Sequence, residues 1–146
     1  MPRLIFIVRL ALGVLLLVTG ALKVAHPESL AEAIAGYRLL PQAFVLPTAV
    51  ALPYLELIFG AYLVVGLFTR VAAFLVSAMF LIYAAAIASA VLRHIPANCG
   101  CFGPNDVSTA DWPHVALDFV LATAAAFVAR KAPGLLSLDR LLSSRR

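Results

Sequence analysis

LIFIVRLALGVLLLVTGAL, residues 4–22, decides what kind of protein this is, because Arg9 is the only charge in a run otherwise built from apolar and small side chains. At 1.5 Å rise per residue, a helix of about 20 such residues crosses the ~30 Å hydrocarbon layer of a bilayer. Three further stretches qualify: Pro47–Phe68, Val71–Leu92 and Trp112–Ala129. Composition agrees, with 64% hydrophobic and 12% charged residues, against roughly 25% charged in soluble domains. The reading is an all-α, integral membrane four-helix bundle, a single domain over 1–146 with spans near 4–22, 47–68, 71–92 and 112–129 and a tail at 130–146. Little chain is left for a globular unit, so soluble chemistry has to come from a partner. Arg3 and the small-x-small triplet Thr19-Gly20-Ala21 would suit a cleaved signal peptide, but Arg9 interrupts the apolar run and weighs against cleavage.

The net charge of +4 would point to nucleic acid in a soluble protein. Here the basic residues gather at the ends of apolar runs, so no nucleic-acid partner is expected. With four spans, Arg3, Arg70, Arg130, Lys131, Arg140, Arg145 and Arg146 share one side, and only Lys23, Arg38 and Arg93 lie on the other. The positive-inside rule then puts both termini in the cytoplasm of a multi-pass protein of a bacterial inner membrane, with 93–111 outside. Between the first two spans, HPESLAEAIAGYRLLP (26–41) predicts a short amphipathic helix on the outer surface, ending before Pro41. Ser29 and Glu32 have capping-box spacing, and Leu30, Ile34 and Tyr37 follow at helical intervals. That helix would lie beside the outer cysteines as a lid, a docking ledge or a plain connector.

Those cysteines, Cys99 and Cys101, are the only two in the chain and sit in NCGCFGPND, residues 98–106. In an oxidising compartment such a pair can persist as a disulfide. Fully extended, residues two apart have Cα atoms about 6.6–7.2 Å apart, whereas a disulfide prefers about 4.4–6.8 Å, so the segment has to bend. Gly100 and Gly103-Pro104 supply the bend. A loop this short restrains the unfolded chain very little, and strained, exposed disulfides are the labile or catalytic ones. Redox chemistry is therefore the leading reading. Metal capture by Cys99, Cys101, His94 and His114 is the rival, with suitable donors but no zinc-finger spacing. Unreactive thiols in a glycine-rich loop are the third reading.

Arg9, Glu56 and Asp118 fall inside spans, where each ionised group costs about 2.5–3.5 kcal/mol on insertion scales. They are expected to face the bundle interior as a polar cluster, with Arg9 long enough to reach Glu56 and Asp118 placed to relay protons toward the thiols. Ala84, Ala88, Ala122 and Ala126 offer small-xxx-small contacts between spans three and four. Tyr37, Phe44 and Trp112 are placed at the outer interface, which is weak ground for a quinone site. No nucleotide loop or hydrolytic triad is present.

The order of these pieces resembles a known family: an arginine in span one, TGALK at its end, AEAIAGYRLLP, the glutamate of LPYLELIFGAYLVVGLFTR, and then CGCFG. It is similar to the MauE branch of the DoxX-like membrane proteins over nearly the whole chain to about Arg130, with CGCFG the most specific element. The resemblance implies four membrane helices and a part in methylamine utilisation, through maturation of the disulfide-rich small subunit of methylamine dehydrogenase. It also implies a thioredoxin-like, MauD-like partner, with Cys99 and Cys101 as the redox pair and Arg9, Lys23 and Glu56 as framework or pocket residues. The functional expectation is electron exchange between the outer Cys99/Cys101 pair and a thioredoxin-like partner serving an exported, disulfide-containing client; net turnover needs a second redox agent, either a soluble thioredoxin-like domain or a membrane quinone. A soft-metal transporter using Glu56 and Asp118, or a non-catalytic assembly factor, are the alternatives.

Overall fold

The structure, a computed structural model, describes residues 2–99 and 108–132. Cys101 and most of the predicted tail lie outside the described residues. The described chain is helical: α1 (Pro2–Val24), α2 (Pro27–Gly36), α3 (Gln42–Val65), α4 (Thr69–Leu92) and α5 (Trp112–Lys131). Its only β pairing is one bridge, Asn98 to Thr109. Four of these helices, of 23, 24, 24 and 20 residues, are long and apolar enough to span a membrane, so the four-span reading stands.

Element ends are set by local chemistry. α2 begins at Pro27, with His26 at the N-cap and no side-chain cap. The expected Ser29 capping box is therefore not formed, because proline, with its φ already helical and no N–H to satisfy, starts the helix three residues earlier. α3 begins at Gln42, not at Pro47. Pro47 and Pro53 are both inside it, tolerated because neighbouring helices in a bundle can satisfy the backbone groups they free. α3 stops at Val65 because Gly66 turns left-handed (φ 76°) and donates its N–H to the Tyr62 carbonyl at 2.8 Å, the usual glycine stop. The second span is accordingly shifted toward the N-terminus of the range read from hydropathy.

α1 lies chiefly against α3 and α4 against α5, with α1–α5 and α3–α4 contacts joining the pairs and α2 resting on α3. On α1 the buried face carries Arg9, Leu12, Leu16, Thr19 and Lys23, while Leu4, Ile7, Val14, Val18 and Leu22 are exposed on the other. Exposed apolar and buried polar is the arrangement lipid demands. A core of Leu12, Leu16, Leu63, Val76, Phe80 and Val128 fills the centre. Since lipid tails are as apolar as leucine, helix association here depends on close packing and polar contacts rather than on hydrophobic transfer.

Glycines let α1 and α3 approach closely. A Cβ placed on Gly60 would stand 2.9 Å from the Gly13 carbonyl oxygen, and one on Gly13 would stand 2.7 Å from Val64 Cγ2. Ala84 and Ala122 are buried as expected for small residues of α4 and α5, and Ser77 of α4 donates to the Ala122 carbonyl at 2.9 Å. Arg70, at the start of α4, donates to the Ala132 carbonyl at 3.5 Å, so the α3–α4 turn and the end of α5 share one end of the bundle. Gly60→Val is expected to destabilise the protein by about 1–3 kcal/mol through overpacking against backbone, read as a lowered thermal midpoint in detergent. Gly36→Ala, whose new Cβ would meet only Ala97 Cβ at 3.8 Å, is expected to leave that midpoint nearly unchanged.

Candidate functional site

At the end of the bundle opposite Arg70, the chain leaving α4 returns on itself before α5. Arg93 caps α4, His94 is left-handed (φ 53°), and the two arms then pair: Cys99 N–H donates to the Ser108 carbonyl at 2.9 Å and Ala110 N–H to the Ala97 carbonyl at 2.8 Å. Residues 97–99 and 108–110 thus form the base of a narrow hairpin. Cys99 is buried against Tyr37, Ile87, Ala90 and Ala97. Its carbonyl accepts the Tyr37 hydroxyl at 3.0 Å, so both backbone polar groups of Cys99 are held.

Tyr37 is therefore not an interface-belt residue. It follows α2 directly, is 8% exposed, and its own carbonyl accepts from the Arg93 guanidinium. One tyrosine ties the end of α2, the end of α4 and the cysteine hairpin together. Leu30 and Ala33 are buried on α2 with it. Phe44 and Trp112 are exposed, as an outer belt requires.

A second cluster lies deeper. Glu56, on α3, is 1% exposed and receives three donors: Lys23 Nζ at 2.7 Å from Oε1, the Tyr83 hydroxyl at 2.7 Å from Oε1, and the Thr19 hydroxyl at 3.3 Å from Oε2. The expected Arg9–Glu56 pair is replaced by Lys23–Glu56, and helix geometry gives the reason. Side chains lean toward the N-terminus of their helix. In antiparallel α1 and α3, Lys23 leans down the bundle as Glu56 leans up, whereas Arg9 leans away from it. Arg9 and Lys23 are separated by ~21 Å of helix at 1.5 Å per residue. Arg9 is fully buried, its guanidinium 5.5 Å from the centroid of the Phe6 ring.

Asp118, on α5, is 5% exposed, and its Oδ2 has no hydrogen-bond partner among the described residues. It shares a cavity of about 30 Å³ with Glu56, Lys23, Tyr83 and His114, which is large enough for a water molecule and offers it these polar groups among leucine walls. At its rim, Asp111 caps α5: its carboxylate accepts the His114 N–H at 3.2 Å and bonds the His114 ring Nδ1. The His114 side-chain hydrogen bond, more than the backbone one, holds the Asp111 carboxyl below its ordinary value of 3.8. The cap's contribution is thus complete above that value and lost only as pH falls through the lowered one.

On its other side, the Lys23–Tyr83 wall borders an apolar slot of about 240 Å³ between α2, α3 and α4, lined also by Leu30, Tyr37, Leu52, Ile87 and Cys99. Of the residues expected in the site, the structure brings Glu56 and Asp118 to one cavity and leaves Arg9 apart. It ties His114 to Asp111 and Ser108 and leaves His94 exposed. Cys101 lies outside the described residues, and among these no three His, Cys, Asp or Glu side chains group as metal ligands. Lys23, Thr19, Tyr83 and Tyr37 carry roles that hydropathy reading does not assign. Register alone shows that Thr19 and Lys23 share a face at i, i+4.

Breaking a buried ion pair by removing one partner costs about 3–5 kcal/mol, whereas replacing both is often neutral. Glu56→Gln is therefore expected to lower the thermal midpoint sharply, and Lys23→Met added to it to restore much of the loss, as a double-mutant cycle in detergent would record.

No curated protein and no solved structure matches the chain. A family model does, that of the methylamine utilisation protein MauE, over residues 1–130. The match covers all four membrane-spanning helices, the Glu56 cluster and the cysteine hairpin, and the chain belongs to the MauE family of multi-pass membrane proteins.

Proposed function

We propose that this MauE-family protein uses the Cys99/Cys101 pair to exchange electrons with a thioredoxin-like, MauD-like protein outside the bilayer, supporting disulfide formation in an exported client. The observation that carries this reading is the way Cys99 is held: buried, pinned through its N–H and carbonyl, and at the base of a hairpin whose connecting residues include the second cysteine. No free thiol occurs among the described residues. A three-residue C-x-C ring contributes little to stability, so the anchoring of Cys99 is better explained by chemistry than by a staple. The excess of Arg and Lys at the opposite end supports cytoplasmic termini and an outward-facing hairpin in a bacterial inner membrane.

In the exchange, a thiolate of the reduced partner attacks one sulfur of the Cys99–Cys101 disulfide and forms a mixed disulfide, which the partner's second thiol then resolves. Two electrons and two protons pass to the Cys pair, and one disulfide bond moves to the partner. Asp118 relays protons between the small cavity and the outer end. Its buried, one-sided carboxylate and the neighbouring His114 support that role.

A thioredoxin-like partner whose second, resolving cysteine is replaced by serine is expected to accumulate a mixed disulfide with the oxidised protein, and mass spectrometry of the linked peptides identifies Cys99 or Cys101 as the attacked sulfur. A Cys99→Ser, Cys101→Ser double variant that still supports client maturation would refute the redox reading and leave an assembly role. Asp118→Asn is expected to slow exchange severalfold with the fold retained by circular dichroism. Unchanged kinetics would remove Asp118 from the path.

A further inference from the structure

Electrons delivered to Cys99 and Cys101 need an acceptor, and the slot between α2, α3 and α4 has the features of a site for one. Its walls are apolar, formed by side chains such as Leu30, Leu52 and Ile87. Leu39, Leu40 and Ile82 also line it and are 48%, 42% and 67% exposed. Ile82 lies within a helix long and apolar enough to span a membrane, and these exposed apolar side chains give the slot an apolar mouth. Polar groups are few: the Lys23 ammonium and Tyr83 mark the inner wall, and Cys99 lies on the boundary shared with the hairpin. A lipid acyl chain has no use for a buried ammonium, and a phospholipid head group would lose its water there. A flat, neutral, carbonyl-bearing ring on an isoprenoid tail suits every wall. An ammonium has three donors, and Glu56 engages one of them.

We infer that this slot binds the head group of a lipid-soluble quinone, which accepts the electrons leaving the Cys99/Cys101 pair. The inference rests on the redox reading above and supplies its terminal acceptor. In this step the dithiol loses two electrons and two protons and gains one S–S bond. The quinone takes up two electrons and two protons, and both its carbonyls become hydroxyls. Lys23 donates to one carbonyl oxygen and favours charge developing there. Lys23 and Tyr83 also border the cavity that holds Asp118 and His114, so proton exchange with the outer end proceeds without crossing lipid.

The test uses the full chain in nanodiscs with decylubiquinone as acceptor and a short-tailed azidoquinone as photolabel. Labelling is expected within α2 or between Ile82 and Ile87, and decylubiquinone, but not decylbenzene, should compete for it. Ala86→Phe and Ala33→Phe, which fill the slot without touching the ion pair or the hairpin, are expected to reduce quinol formation by the dithiothreitol-reduced protein at least tenfold while partner trapping persists. Equal competition by decylbenzene, or quinol formation unaffected by both substitutions, would overturn the quinone assignment and make the slot a lipid site. Loss of partner trapping with specific labelling intact would instead remove the thiol-exchange reading and leave the quinone site standing.

Discussion

A carboxylate in the middle of a bilayer needs donors, and the described part of this protein is arranged around providing them for Glu56. Lys23 and Thr19 come from α1 and Tyr83 from α4, while Glu56 itself is on α3. Three helices are thereby fixed in rotation and height by one side chain. Where helix association cannot draw on hydrophobic transfer, such a polar centre specifies the arrangement that close packing then completes. Gly13 and Gly60 let α1 and α3 come near enough for Lys23 and Glu56 to meet at 2.7 Å. The cost of burying both charges explains why every donor in the cluster is directed at the same carboxylate.

The centre also lies between two cavities. On one side Lys23 and Tyr83 border the small cavity with Asp118 and His114, and on the other they border the apolar slot that reaches Cys99. Tyr37 holds the upper end of that slot by bonding Cys99 and receiving Arg93. The short α2 is thus more than a connector: it supplies one wall of the slot and, through Tyr37, the anchor of the cysteine hairpin. This arrangement places an apolar cavity directly beside Cys99.

Hydrogen bonds and side-chain lean, not hydropathy, set the helix ends and the ion pair. Hydropathy locates apolar mass but is blind to the hydrogen bonds that end a helix, so the second span was read from Pro47 to Phe68 when Pro41 and Gly66 bound it. The Ser29 spacing fitted a capping box, but Pro27 took the first helical position. Arg9 is the charge in mid-span, whereas Lys23, near the end of α1 and counted among the outer basic residues, reaches Glu56 through the lean of side chains on antiparallel helices.

By itself the sequence determined that the chain is a four-span helical membrane protein, that its two cysteines are separated by a single glycine, and that Glu56 and Asp118 face inward, because hydrocarbon excludes charge and unpaired backbone whatever the neighbours are. Only the tertiary structure decided which cation Glu56 holds, that Tyr37 anchors Cys99, and that an apolar slot joins them. Those contacts link residues 27 to 62 positions apart on different elements, and their geometry follows from helix register and crossing, which no local pattern in the chain encodes.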